Sequence, residues 1–330
     1  MPGPDKVFKE TLMAQKRLKP YIHNTPVFTS ESINKLIGKQ VYFKCDNLQR
    51  TGSFKLRGAC NAVLKLKESS PNVQGVVTRS SGNHGMGVAY AAQKCGLQSK
   101  VVIRQGTAKV KGDALQVYGA EVIYCNPTPA DSIAAVQRVQ QETGYTMISS
   151  FENDDVLFGQ GTVGLEFFDQ VSDLDAVFIP LCGGSLTASV AAVAKYRSPN
   201  TKVYAVEPEG KGLEKCMREG NTSSWPSPPN YITTIAEAIQ LQYVAKQNFP
   251  LLCELVEKEV FAVTDSELVE AMMLVFQRLK LVVEPSGAAG LAAVMSSRMK
   301  EVCGDDVQKV GIILSGGNVD LDNLPWGQRQ

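Results

Sequence analysis

The chain has 330 residues, of which 44% are hydrophobic and 7% aromatic, a composition typical of a folded enzyme with one large or two moderate α/β domains. Its 34 basic and 33 acidic residues give a formal net charge of +1 without a basic cluster, which argues against nucleic-acid binding. No apolar run approaches the roughly 20 residues that span a membrane, and the N-terminus lacks the apolar core of a secretion signal. We therefore expect a cytoplasmic protein with no membrane partner.

The cysteines and histidines argue against disulfides and metal clusters. Eight cysteines are scattered along the chain without a CxxC pair, which favours reduced, mostly buried thiols over a disulfide framework or a zinc site. The two histidines, His23 and His84, are too few for a multi-histidine metal site.

Strands and helices alternate along the first half of the chain, in the order typical of parallel βαβ units. An amphipathic helix is predicted over 7–19, ahead of a strand over 41–45 and a helix over 56–66. The next predicted strands cover 75–78, 100–104 and 121–125. The predicted helices between and after them cover 86–94, a segment that ends at 117, and 130–142.

The second half repeats this alternation around a proline-rich loop at 218–231. Its predicted elements are strands 175–180, 202–206 and 310–314, and helices up to 171, 187–196, 266–280 and 285–300. We predict an α/β fold with two open parallel-sheet domains, a smaller one (75–147) inserted in a larger one (1–74 and 148–330).

Lys55 lies in a turn of small and polar residues, Thr51-Gly-Ser-Phe-Lys-Leu-Arg57, between a predicted strand and a predicted helix. The positive end of a helix dipole lowers the cost of a neutral amine. Because a neutral amine attacks carbonyl carbons, the turn is compatible with Schiff-base chemistry if the chain also supplies a cofactor site. A solvated surface lysine is the simpler alternative.

Three polar, glycine-containing turns follow predicted strands, at 80–85, 182–186 and 315–318. In open parallel sheets, ligands gather at the C-terminal ends of strands. The turn at 182–186 has the form of an anion nest, in which successive backbone N–H groups point at one phosphate and a helix begins. It lacks the lysine of a P-loop and the spacing of a dinucleotide fingerprint, which favours a monophosphate.

Three stretches together carry a resemblance to a known family: Gly-Ser-Phe-Lys-Leu-Arg-Gly from 52, Ser-Ser-Gly-Asn-His-Gly from 80 and Ser-Gly-Gly-Asn-Val-Asp from 315. They resemble the fold-type II pyridoxal-phosphate (PLP) enzymes, and within these the serine racemases and animal aspartate racemases. The resemblance extends from Thr25 to Asp320.

This resemblance implies a cofactor site around Lys55, which would hold PLP covalently. Phe54 would lie beside the pyridine ring and Asn83 would bond the ring hydroxyl. Ser315 would face the pyridine nitrogen, and since a hydroxyl does not protonate the ring as a carboxylate does, the electron sink is weaker. The phosphate would be held by Cys182, Gly183, Gly184, Ser185 and Leu186.

The resemblance also implies a second catalytic base, Ser81, on the face of the cofactor opposite Lys55. One base would remove the α-proton and the other would return a proton from the far side. The substrate α-carboxylate would be bound by Ser80, Asn83 and His84.

The substrate side chain would face the loop that contains Ser149 and Ser150, which is serine-rich in animal aspartate racemases. Arg79 is a further cation for a β-carboxylate, with an ordinary surface or interface arginine as the alternative. These features favour aspartate over serine.

Two departures from the group concern ions. Cys182 and Ser185 replace glycines of the phosphate turn, but both are small enough for binding to persist. In the divalent-cation site of the group, Glu207 matches the glutamate and Lys211 the residue that offers a carbonyl. Leu213 replaces the second carboxylate, which argues against Mg²⁺ or Ca²⁺ there.

The predicted function is a PLP-dependent racemase for aspartate or serine, with side β-elimination. A homodimer and an ATP or AMP effector site near Ser30, Ser32, Arg50 and Thr51 are implied in the same way. Two alternatives stay open: a serine or threonine dehydratase that releases keto acid and ammonia, and a catalytically silent ligand-binding relative. Ser81 argues against the first, and the retained lysine and phosphate turn argue against the second.

Overall fold

A computed structural model describes residues 1–80, 82–107 and 109–326, without the side chains at 109–111 and 129. Ser81, the second predicted base, lies outside the described residues. Within them, ten strands form two sheets. The strands are β1 (Val27–Phe28), β2 (Gln40–Cys45), β3 (Gly75–Arg79), β4 (Gln98–Arg104), β5 (Glu121–Cys125), β6 (Thr146–Met147), β7 (Ala176–Pro180), β8 (Lys202–Pro208), β9 (Phe261–Val263) and β10 (Lys309–Leu314).

Helices cover both sheets, and none in the described ranges is long and apolar enough to cross a membrane. The helices are α1 (Pro4–Leu18), α2 (Glu31–Ile37), α3 (Lys55–Ser69), α4 (Asn83–Lys94), α5 (Lys109–Val117), α6 (Pro129–Thr143), α7 (Asp154–Gln160), α8 (Thr162–Gln170), α9 (Ser185–Arg197), α10 (Leu213–Glu219), α11 (Phe249–Leu255), α12 (Asp265–Leu274), α13 (Pro285–Met295) and α14 (Ser297–Cys303).

The larger sheet has the strand order β1-β2-β10-β7-β8-β9. Its pairs are parallel except β1 with β2, an antiparallel edge. The last strand in sequence, β10, lies between β2 and β7, and Val310 to Leu314 are buried on both faces. This explains the continuous apolar sequence of the strand. It also places the turn after β10 beside the turn after β2, which carries Lys55.

The smaller sheet has the order β5-β4-β3-β6, and all its pairs are parallel. Its strands lie between residues 75 and 147, and those of the larger sheet lie outside this range. Helix α3 packs against this region, because Leu56 and Val63 share a hydrophobic cluster with Val76 of β3 and Val88 of α4. The fold class is confirmed; the domain boundaries stay a prediction.

The predicted helices and strands agree with the structure to within a few residues, with two differences at the C-terminal end. The helix expected over 285–300 is two helices, because Ser296 adopts an extended conformation between α13 and α14. The helix expected over 266–280 is α-helical only as far as Leu274, the end of α12, and continues as a π-helical turn, Val275–Leu279. The short elements α7, α10, α11 and β9 were not predicted.

A buried charge network fixes the start of α3 to the larger sheet. The fully buried Arg57 donates from Nε to Asp46 Oδ2 (2.6 Å) and from Nη1 to Glu166 Oε1 (2.7 Å). Lys44 of β2 donates to Glu166 Oε2 (2.7 Å) and to the carbonyl of Thr25 (2.7 Å). Two cations and two carboxylates thus satisfy one another two residues beyond Lys55, which holds the first turn of the helix in place.

Candidate active site

Lys55 is the first residue of α3, and its turn is joined to the turn after β10. Phe54 N donates to the carbonyl of Ser315 (3.0 Å), and Gly317 N donates to the carbonyl of Gly52 (2.9 Å). Gly52 has φ +72°, and a Cβ there would lie 2.4 Å from Asn318 Oδ1, so both backbone conformation and space require glycine. Two of the three sequence stretches that carry the resemblance therefore form one surface.

The surroundings of the Lys55 amine favour its neutral form. Its Nζ lies 4.3 Å from the centroid of the Phe54 ring. Burial lowers the pKa of the Lys55 ammonium, while Cys182 and Glu284 act in the opposite direction but do not reverse the shift. Loss of hydration thus favours the neutral amine that the sequence predicts.

A cavity of about 710 Å³ opens in front of Lys55. Its wall contains the predicted site residues apart from Ser81, which is not described, and Glu207, which lies elsewhere. The residues brought together are Phe54, Lys55, Arg79, Ser80, Asn83, His84, Ser149, Ser150, Cys182, Gly183, Gly184, Ser185, Leu186 and Ser315.

The turn between β7 and α9 presents a row of free backbone donors to this cavity. None of the backbone N–H groups from Cys182 to Leu186 donates to another described residue. Gly184 has φ +88°, and a Cβ on Gly183 would lie 2.6 Å from Phe151 Cβ, so the turn requires small residues. Such a row at a helix start binds an anion.

Thr187, which the sequence analysis missed, adds a hydroxyl to the same end of the cavity. Its Oγ1 is buried without a hydrogen-bond partner among the described residues. A buried hydroxyl without a partner is costly, which indicates a ligand. The only sequence signal is a hydroxyl residue in the first turn of a helix that is rich in alanine and valine.

Asn83 is held by two side chains that were not among the predicted site residues. Asn83 Nδ2 donates to Glu284 Oε1 (2.7 Å), and Asn83 Oδ1 accepts from Asn318 Nδ2 (2.9 Å). Asn318 Nδ2 also donates to the carbonyl of Thr51 (2.8 Å). Since an amide carries two N–H donors, the network fixes Asn83 and leaves it one donor for a ligand.

His84 lies in the cavity, but its contacts do not suit the predicted binding of a carboxylate. Its Nε2 lies 3.0 Å from the carbonyl of Ile148 and therefore carries the proton in the neutral ring. Burial lowers the pKa of His84 to about 4, so the ring is neutral near pH 7. The buried Nδ1, which has no partner among the described residues, then presents a lone pair and accepts rather than donates.

Two arginines line the side of the cavity near the smaller sheet. Arg79 Nη1 donates to Ser132 Oγ (3.3 Å). Arg104, which the sequence analysis missed, lies over the Tyr231 ring, with 4.8 Å between Cζ and the ring centroid. Both guanidinium groups carry a positive charge on this side, while the cavity wall also contains the carboxylates of Glu237, Glu284 and Asp320.

A family model described as "Pyridoxal-phosphate dependent enzyme" matches residues 18–316. The chain belongs to this PLP-dependent enzyme family. It is 41% identical over 318 residues to a serine racemase of Dictyostelium discoideum, which covers 96% of each protein.

Solved structures of PLP-dependent enzymes agree in fold. The crystal structure of a PLP-dependent aspartate racemase is 42% identical, covers 99% of this chain and 100% of its own, and has a TM-score of 0.95. The crystal structure of a threonine deaminase from T.th. is 36% identical, covers 94% of this chain and 98% of its own, and has a TM-score of 0.85.

The cavity fits PLP, the cofactor of the family. The free N–H groups of the β7–α9 turn and the Thr187 hydroxyl suit its phosphate, and the Lys55 amine suits its aldehyde. The remaining Asn83 donor and the Ser315 side chain face the same space and suit the polar atoms of the ring.

The residues around Glu207 do not fit the divalent-cation site of related PLP-dependent racemases. Glu207 accepts hydrogen bonds from the backbone N–H groups of Gly212 (3.1 Å) and Leu213 (3.0 Å), and the Lys211 carbonyl accepts from Trp225 Nε1 (2.7 Å). Burial raises the pKa of Glu207 to about 7, which weakens it further as a ligand. One carboxylate engaged in this way does not supply the oxygen shell that Mg²⁺ or Ca²⁺ requires. The described residues contain no cluster of three or more potential metal ligands.

Proposed function

We propose that this chain is a PLP-dependent amino-acid racemase that interconverts L- and D-aspartate and takes serine as a second substrate. The observation that carries the proposal is the Lys55 amine, whose pKa is lowered by burial, in one cavity with an anion-binding turn and the polar residues of the turn after β3. The similarity to serine racemases and to an aspartate racemase supports the same reaction class.

In this proposal the chain supplies two proton-transfer groups and a charged pocket. PLP, when bound, withdraws electrons from the α-carbon and acidifies its proton. Lys55 accepts that proton on one face, and Ser81 returns a proton on the other face. The Ser80 turn orients the substrate, and Ser315, which lines the cavity, would limit the electron withdrawal because a hydroxyl does not protonate the pyridine nitrogen as a carboxylate does.

The preference for aspartate rests on the charge of the cavity wall. Arg79 and Arg104 lie on the side that also contains Ser149 and Ser150. Arginine binds carboxylates through paired hydrogen bonds, so this side suits a β-carboxylate better than a hydroxymethyl group. Replacing Arg104 with Gln should lower the ratio of kcat/KM for aspartate over serine. The exposed Arg138, changed to Gln, is the matched control. An unchanged ratio in R104Q would remove Arg104 from the argument.

The reaction class is tested with L-Asp, D-Asp and L-Ser as substrates and chiral product analysis. A racemase forms the opposite enantiomer, whereas keto acid without any enantiomer would refute the proposal. In heavy water, Ser81→Ala should still exchange the α-proton of the enantiomer deprotonated by Lys55, while inversion falls far below wild type. Ser189→Ala is the control. Ser189 is a buried serine of α9 whose hydroxyl donates to the Leu186 carbonyl, and its replacement should leave the exchange and inversion rates unchanged. Inversion at the wild-type rate in S81A would disprove the two-base assignment.

A serine or threonine dehydratase is the second candidate, supported by the similarity to a threonine deaminase. Loss of a β-hydroxyl from the deprotonated substrate gives a keto acid and ammonia. We expect this as a side reaction with serine only, because aspartate has no β-hydroxyl. Keto acid formation from serine that greatly exceeds racemisation of either substrate would favour this candidate.

A homodimer and an ATP or AMP effector site near Ser30 rest on the sequence resemblance alone, and a cytoplasmic location rests on the sequence features described above. Sedimentation of the holoenzyme tests the homodimer, and activity measured with and without nucleotide tests the effector site. A monomer whose activity does not respond to ATP or AMP would reject both.

A further inference from the structure

A buried lysine lies behind the turn that faces the phosphate end of the cavity. Lys211, in the loop after β8, is fully buried. Its Nζ donates to the carbonyls of Leu181 (2.9 Å) and Cys182 (3.0 Å). These carbonyls lie at the start of the row of free N–H groups, and Lys211 is not part of the cavity wall.

The two hydrogen bonds determine the direction of two N–H groups. In a trans peptide, the C=O and N–H groups of one plane point in opposite directions. The carbonyl of Leu181 shares its plane with Cys182 N–H, and that of Cys182 shares its plane with Gly183 N–H. Because Lys211 holds both carbonyls on the far side, both N–H groups are directed away from Lys211, into the cavity.

Asn248 of the loop before α11 acts in the same way on the next peptide. The Gly183 carbonyl accepts from Asn248 Nδ2 (2.8 Å) and from Ala245 N (3.1 Å), which directs Gly184 N–H away from them. Three consecutive peptide planes of the turn are thus fixed from behind, two of them by one side chain.

The location of this ammonium also has an electrostatic consequence. Burying a charge is energetically costly, and an apolar side chain in the same space costs less. The nearby Glu207 carboxylate offsets only part of that cost, since burial still lowers the pKa of Lys211. A dianionic phosphate on the other side of the turn adds the missing negative charge. This explains why a cation is placed here.

We propose that Lys211 is a positioning residue for the PLP phosphate, next to a region around Glu207 that does not fit a divalent cation. It acts through the backbone of the turn, and PLP binding is accordingly independent of divalent cations. This inference rests on the phosphate assignment of the turn within the proposed function.

The test compares PLP with pyridoxal, which has the same aldehyde but no phosphate. Dissociation constants are measured by titrating the apoprotein and following absorbance. Lys211→Met removes the ammonium and keeps most of the volume, and the exposed Lys215→Met on α10 is the matched control. Loss of hydrogen bonds made by a charged group should weaken PLP binding by about tenfold or more in K211M. Pyridoxal binding should stay within about threefold, and K215M should match wild type for both ligands.

Equal weakening of PLP and pyridoxal in K211M, or no weakening of either, would overturn the role of Lys211. If wild type binds pyridoxal as tightly as PLP, the phosphate assignment of the turn is itself wrong. Should K211M fail to fold, wild-type apoprotein treated with EDTA decides: we expect the same PLP dissociation constant with EDTA as with millimolar Mg²⁺. A requirement for Mg²⁺ would overturn the proposal.

Discussion

Removal of Arg57 is the most informative perturbation of the scaffold, because Lys55 depends on the same helix turn. Arg57 makes two short bonds to Asp46 (2.6 and 2.8 Å) and two to Glu166 (2.7 and 2.8 Å). Arg57→Met leaves two buried carboxylates with Lys44 as the remaining cation of the network. Breaking a buried ion pair from one side costs about 3–5 kcal/mol. At on the order of 2 °C per kcal/mol for a chain of this size, Tm should fall by roughly 6–10 °C.

The loss of stability in R57M should depend on pH through the Asp46 carboxyl. Burial alone would raise the pKa of Asp46, but the charge and hydrogen bonds of Arg57 outweigh it and hold that pKa below its ordinary value. In R57M the effect of burial dominates, so the folded-state pKa of Asp46 rises above the unfolded value. A group with a raised folded-state pKa binds protons on folding as pH falls. The stability deficit of R57M is therefore largest near neutral pH and shrinks towards pH about 4.

The assay is thermal unfolding of the apoprotein, followed by circular dichroism at several pH values. Arg218→Met breaks only exposed, solvent-screened ion pairs and should lower Tm far less than R57M. The double variant R57M/E166Q retains one buried cation and one buried anion, Lys44 and Asp46, and should recover part of the loss. The reasoning is refuted if R57M is no less stable than R218M, or if the double variant is no more stable than R57M.

Three further substitutions test the cavity. Thr187→Val should weaken PLP binding by about tenfold while the apoprotein keeps or gains stability, because the hydroxyl has no partner to lose among the residues that the structure describes; a less stable apoprotein would contradict this. Gly183→Ala should destabilise the protein by about 1–3 kcal/mol through its clash with Phe151, and G183A/F151A should restore most of that in thermal unfolding; no recovery would mean that the clash is not the cause. His84→Gln should lower kcat without changing the shape of the pH–rate profile between pH 5 and 8, because the pKa of His84 is about 4; loss of an inflection in that range would show that His84 titrates there.

The sequence predicted that the three glycine-containing turns and Lys55 meet at one cavity. Each turn follows a parallel strand, and the carboxyl ends of parallel strands lie along one edge of a sheet. Lys55, the Cys182 turn and Ser315 therefore had to come together once β2, β7 and β10 were recognised as strands of one sheet. Long apolar strands and helices with clear periodicity supplied that information.

The groups that support the cavity residues were not predictable in the same way. Glu284 lies 201 residues from Asn83, which it holds, and Ile148 lies 64 residues from His84, whose protonated nitrogen it determines. No local pattern marks such pairs, because their contact depends on how separate elements pack. The role first assigned to His84 followed from its place in a turn, whereas its hydrogen bond determines what the ring can do.

For Lys55, the sequence and the packing of the folded chain act in the same direction. Its place at the start of α3 predicts a lowered pKa from the helix dipole, and burial adds a further lowering. Lys211 is a second lysine near the same cavity, and its pKa is lowered by burial and, in addition, by the proximity of Lys55. The buried charge of Lys211 makes the apoprotein costly to fold, and a dianion bound on the other side of the turn would relieve that cost. PLP should therefore raise the Tm of wild type more than that of K211M, and an equal increase in both would show that the charge of Lys211 does not contribute to holding the cofactor.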